Sequence, residues 1–224
     1  MNKWCGRLLV CLGLCFGASS SFADQTPNEV EEAMKTVGTL YIDQQAHCLV
    51  TLVQSDKVVT AGHCVLNGDG TLPASFDNWY IEFYDNKKVA IIDTATIPGF
   101  SYKSLNAAPI SVLLEDIAVI KLGEDVNNPL ANIMSFQEAR DGHVWVPNDG
   151  DLNKCEARQM PPIEVFHVSC SREKGKSGTP IFRIENGRTH IVGVVSALDP
   201  LKGGVFAHTM KTTLSRLAWN REKK

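Results

Sequence analysis

The chain has 224 residues, a formal net charge of -3 and seven cysteines. That charge gives no reason to expect nucleic acid as a partner. The length allows one large core or two packed halves without a linker, and no stretch beyond the N-terminal region is long or apolar enough to span a membrane.

Taken in chain order, the first element reads as an export signal. Lys3 and Arg7 supply a positive start, residues 8–18 are apolar but too few to cross a bilayer, and Ser19 to Ala23 are mostly small. Cleavage is expected after Ala23, which gives residues 1–23 as signal and leaves no stable membrane association. Cys5, Cys11 and Cys15 leave with it. The small residue that lipoprotein processing wants is absent before Cys11 and Cys15. Residues 24–36 form an N-terminal segment, helical over 28–35, acidic and amphipathic, and a short propeptide ending near Lys35 is one reading of it.

From Gly38 onward, short β-branched runs alternate with Gly, Pro, Asn and Asp. Strands are expected over 37–42, 48–53, 57–60, 79–84, 89–97, 117–122, 180–184, 190–195 and 204–209, with a closing helix over 213–222. Many short strands separated by turns indicate an all-β barrel or sandwich. No internal repeat, low-complexity tract or linker interrupts residues 37–224.

Four cysteines persist in the exported part: Cys48, Cys64, Cys155 and Cys170. An even number in an exported chain favours two disulfides. Three pairings are possible, of which Cys48 with Cys64 and Cys155 with Cys170 staples local strands. A zinc site from His47, Cys48, His63 and Cys64 is the competing account, but directly adjacent ligand pairs lack the spacing of structural zinc sites, and export favours oxidation. No metal and no organic cofactor is expected.

Three segments carry chemistry. Val58-Val59-Thr60-Ala61-Gly62-His63-Cys64 is a strand running into small residues that deliver a histidine beside a half-cystine. Asp116-Ile117-Ala118-Val119-Ile120-Lys121-Leu122 places an acid at the mouth of an apolar strand. Gly175-Lys176-Ser177-Gly178-Thr179-Pro180 holds a serine between glycines just before another. Acyl transfer needs a nucleophile on a tight turn with backbone N–H groups beside it for the developing oxyanion, which Gly175 and Ser177 could supply. A phosphate cradle fails, since Lys176 lacks the glycine-spaced P-loop pattern and no helix follows. Taken singly, each segment is modest.

In the order His, Asp, Ser, the three segments closely resemble the signature segments of the chymotrypsin/trypsin-like serine peptidases. The resemblance covers residues 37–219 and implies two packed six-stranded antiparallel β-barrels with a C-terminal helix and the active site between the barrels. It also implies a serine endopeptidase acting on protein or peptide substrates, with His63, Asp116 and Ser177 as triad and Gly175 and Ser177 as oxyanion hole. Cys48 and Cys64 sit where the family's disulfide brackets the catalytic histidine. Ser196 matches the residue that supports the aspartate, Gly204 lies on the strand behind the specificity pocket, and Ser171 falls at the pocket floor, followed by Arg172. Leu198 stands where many members have glycine.

Lys176 replaces the aspartate that, in digestive members, pairs with a new N-terminus after zymogen cleavage. No Ile-Val-Gly-Gly-like start is present either, so the resemblance is to bacterial-type members. Glu173 occupies the place of a pocket cysteine, and only 61 positions separate Asp116 from Ser177, which implies trimmed loops. The expected protein is a monomeric peptidase, secreted or periplasmic. The alternative is an inactive homologue that keeps the double barrel as a binding module.

Overall fold

The computed structural model describes residues 27–97, 100, 113, 115–134, 142–148, 151–160, 165–170, 176–185, 188–199 and 203–210. The signal segment over 1–23 and the closing helix over 213–222 lie outside these residues.

The described residues contain thirteen strands, one helix and one 3₁₀ turn. In chain order they are α1 (Pro27–Lys35), β1 (Val37–Ile42), β2 (Gln45–Gln54), β3 (Lys57–Thr60), η1 (Gly62–Val65), β4 (Trp79–Phe83), β5 (Lys88–Thr96), β6 (Ala118–Leu122), β7 (Asn132–Ile133), β8 (Gly142–Asn148), β9 (Asp151–Gln159), β10 (Val165–Val168), β11 (Pro180–Glu185), β12 (Arg188–Leu198) and β13 (Val205–Thr209).

The first six strands close into an antiparallel barrel in the order β1-β2-β3-β6-β5-β4. The last six form a second ring, β8-β9-β10-β13-β12-β11, closed where β11 pairs with both β8 and β12. The two rings share one connectivity: each successive strand of the second occupies the place of its counterpart in the first. β7 is a two-residue addition running parallel to β12. Closure pairs every strand on both sides and leaves no sheet edge within either ring.

Alternation along the strands divides the core into three parts. Leu40, Val50, Leu52, Ile81, Ile120 and Leu122 fill the first barrel. Val144, Val146, Val168, Ile181, Val192 and Val205 fill the second. The third part lies where the barrels meet: Val59, Ile117 and Val119 from the first pack with Phe182, Ile191 and Val194 from the second.

Helix α1 belongs to that third part. It packs against β1 of one barrel and β9 and β12 of the other, with Ala33 and Met34 in the shared core. The chain is held as it leaves the helix: Leu52 N donates to Thr36 O at 2.8 Å, Thr36 Oγ1 donates to Ala33 O at 2.7 Å, and Asn128 Nδ2 donates to Lys35 O at 3.3 Å.

Candidate active site

Strand β3 ends at Thr60, and Ala61 leads into η1, which carries His63. The turn approaches the aspartate segment so closely that a β-carbon on Gly62 would lie 2.9 Å from Ile117 N. Asp116 precedes β6, which pairs with β3 from Thr60↔Ala118 onward, so the ladder itself brings the two segments together.

The result is a compact polar group. His63 Nδ1 lies 3.0 Å from Asp116 Oδ1 and 2.9 Å from Oδ2, and the backbone N–H of His63 donates to Asp116 Oδ1 at 2.8 Å. From the second barrel, Ser196 Oγ donates to Asp116 Oδ2. The aspartate side chain is fully buried, whereas that of His63 is 15% exposed.

Burial pushes the carboxyl of Asp116 toward a higher pKa. The charge of His63, its side-chain hydrogen bond, the Ser196 hydroxyl and the His63 backbone N–H all act the other way and prevail, so the pKa is held below the ordinary value. An ionised carboxylate only accepts, so Nδ1 carries the imidazole proton and the neutral ring has its lone pair on Nε2.

The Ser177 turn is tied to both barrels. Leu49 N on β2 donates to Ser177 O at 2.9 Å, and Gly178 N donates to Val195 O on β12 at 2.8 Å. Thr179 donates to Lys176 O from its backbone at 3.2 Å and also from its hydroxyl. Gly178 has φ +76°, and a β-carbon there would sit 2.1 Å from Leu49 O and 2.2 Å from Thr60 Oγ1, so only glycine fits.

Covalent bonds complete the frame. Cys48–Cys64 joins β2 to η1 and Cys155–Cys170 joins β9 to the end of β10, the near-neighbour pairing of the three possible. Cys48 adjoins Leu49, which holds Ser177, and Cys64 adjoins His63. The two sulfurs lie near the His63 ring, but they are bonded to each other and offer no thiolate to zinc.

The structure thus brings His63, Asp116 and Ser196 into direct contact and ties the Ser177 turn to their neighbours. Gly175, Ser171 and Arg172 lie outside the described residues. Leu198 is 41% exposed at the end of β12, and Gly204 immediately precedes β13 with φ +85°. Lys176 lines a cavity of about 290 Å³ together with Met34, Tyr41, Phe83, Tyr84 and Asn148.

Sequence reasoning names Thr60 without a role of its own, and its hydroxyl donates to Leu49 O at 2.7 Å beside the Ser177 turn. It passes over His167 and Asp199, whose side chains meet near Gly204. His167 lies on β10 and Asp199 just beyond β12, and no local motif links them.

The family model described as Trypsin matches residues 25–150. The match includes His63 and Asp116 and ends before Ser177. Among curated proteins, no sequence matches the chain.

Proposed function

The chain belongs to the trypsin family, and from that premise we propose that it is a serine endopeptidase whose triad is His63, Asp116 and Ser177. The observation that carries this reading is the buried Asp116 carboxylate, which holds His63 Nδ1 at 2.9 Å while Ser196 donates to it from the other barrel. A buried charge is costly unless paired. This one is paired so as to fix the imidazole of His63 in one tautomer.

In the proposed mechanism, Ser177 Oγ attacks the scissile carbonyl while His63 Nε2 takes its proton. Asp116 orients the ring and stabilises its charged form. Collapse of the tetrahedral intermediate breaks the C–N bond, and His63 protonates the departing amine. Water then repeats the sequence on the acyl-enzyme and frees the carboxylic acid. The N–H groups of Gly175 and Ser177 receive the oxyanion, each contributing about 3 kcal/mol in comparable sites. Ser196, Leu198 and Gly204, with Ser171 and Arg172, border the pocket for the substrate side chain. Two disulfides support folding in an oxidising compartment, in keeping with residues 1–23 as an export signal and a secreted or periplasmic peptidase.

Incubation of the purified protein with a peptide library, followed by mass spectrometry of the products, tests the reading. Cleavage by the wild type and none by Ser177→Ala is expected. Intact peptides with both, from folded protein, would favour the binding-module alternative.

A further inference from the structure

Beyond Ser196, β12 runs through Ala197 and Leu198 into Asp199, and the chain returns at Gly203 and Gly204 to begin β13. Two backbone hydrogen bonds close this turn: Asp199 N to Gly204 O and Gly203 N to Asp199 O, both at 3.1 Å. His167 reaches it from the neighbouring β10. Its Nε2 lies 2.9 Å from Gly203 O and 3.4 Å from Asp199 Oδ2, with its ring edge-on to Phe206 at 5.8 Å. A carbonyl only accepts, so Nε2 carries a proton. One imidazole on a third strand therefore braces both ends of the turn.

The register shows which face this brace occupies. His167 pairs with Phe206 and Phe206 with Ala197, so the three form one row across β10, β13 and β12. Phe166 and Val168, which flank His167, and Val205 and Ala207, which flank Phe206, are buried, whereas the row itself is half-buried. The row lies on the outer face of the barrel and adjoins Ser196, whose hydroxyl reaches Asp116. A β-carbon on Gly204 would lie 2.3 Å from Val168 O and 2.8 Å from His167 Nε2, so no side chain can intrude there. Asp199 follows Ser196 by three positions, about 10 Å of extended chain, which is the reach of a long side chain. The side chains there are 21% exposed for His167 and 6% for Asp199.

Resting on the catalytic reading above, we propose that His167 and Asp199 form a polar floor of the substrate side-chain pocket. The peptidase then selects, on the acyl side of the scissile bond, a residue whose side chain hydrogen-bonds. An apolar side chain of the same length displaces water from the imidazole and carboxylate and offers no hydrogen bond in return, and a site built on such groups discriminates strongly against it. The determinant lies on β10 and at the end of β12, rather than at Ser171.

Glutamine and methionine are similar in length and differ in hydrogen bonding, which makes them the natural pair of probes. Peptide amides identical except for Gln or Met at that position are compared with wild type, His167→Leu and His167→Gln. In parallel, product-like peptides ending in Gln or Met are titrated calorimetrically into Ser177→Ala. The wild type is expected to favour Gln by about tenfold or more in kcat/KM. His167→Leu should reduce that ratio to about threefold or less, mainly through KM, and His167→Gln, which restores a donor to Gly203 O, should recover most of it. Ser177→Ala should bind the Gln peptide more tightly. Equal or Met-favouring turnover by an active wild type overturns the floor and leaves the triad standing. Discrimination by Ser177→Ala together with no turnover of either peptide by wild type overturns the triad and leaves the floor standing.

Discussion

Gly178 and Thr60 occupy one tightly shared space: a β-carbon on the glycine would lie 2.2 Å from Thr60 Oγ1, which itself donates to Leu49 O at 2.7 Å. The contact joins the serine turn to the end of β3, the strand of the other barrel that leads into the histidine-bearing turn η1. The position of Ser177 thus depends on the absence of one methyl group. Gly178→Ala is expected to lower stability by about 2 kcal/mol or more, from the positive φ and the overlap combined. It should also abolish peptide cleavage, with urea unfolding and peptide turnover as the measurements.

Asp116 receives Ser196 Oγ as well as the imidazole, so the two partners can be separated by substitution. Asp116→Asn is expected to lower kcat by about 10⁴-fold, because the amide no longer enforces the useful tautomer. Ser196→Ala removes one hydrogen bond to a charged group and should cost about 10- to 100-fold in kcat/KM. A Ser196→Ala loss as deep as that of Asp116→Asn would mean that the hydroxyl, rather than the carboxylate, organises the ring.

The depressed pKa of Asp116 fixes the sign of one pH effect. The folded value lies below the ordinary 3.8, so the unfolded chain binds the proton more readily. The stabilisation is therefore fully present above that ordinary value and is lost as pH falls through the folded value. Urea midpoints measured from pH 6 downward should show a steeper acid decline in the wild type than in Asp116→Asn. Parallel declines would contradict the assignment.

Helix α1 places Ala33 and Met34 in the core shared by the barrels, which bears on the reading of residues 24–36 as a removable propeptide. Met34→Ala is expected to cost about 2–4 kcal/mol. An engineered cleavage after Lys35 should lower Tm and activity together. A cut protein that gains activity without losing Tm would support the propeptide reading.

The legibility of the fold varied along the chain for physical reasons. The strands over 37–42 and 57–60 have the bounds expected from their β-branched runs, and those over 180–198 were expected a few residues short. Four strands went unread, all between residues 132 and 168. β9, Asp-Leu-Asn-Lys-Cys-Glu-Ala-Arg-Gln, buries only Leu152, Cys155 and Ala157, and four of its other residues, Asp151, Asn153, Lys154 and Glu156, are of types depleted in strands. β7 is two residues long. The repeated connectivity of the two rings left no trace in the residues, because closure constrains alternation and turn placement but not residue identity. His63 and Asp116 stand out in their own segments, since the Cys48–Cys64 disulfide and the mouth of β6 position them locally, whereas Ser196, inside β12, is legible only through the family resemblance. His167 and Asp199 were not legible, because only the β10–β13–β12 register brings them together.

The most direct test of the central claim is labelling with a serine-directed fluorophosphonate, read by intact-protein and peptide mass spectrometry on wild type, Ser177→Ala and His63→Ala. The predicted result is a single adduct on Ser177 in the wild type, none in Ser177→Ala, and labelling in His63→Ala slowed by about 10³-fold or more. No adduct on folded wild type, or an equal rate in His63→Ala, would contradict a nucleophile activated by that histidine.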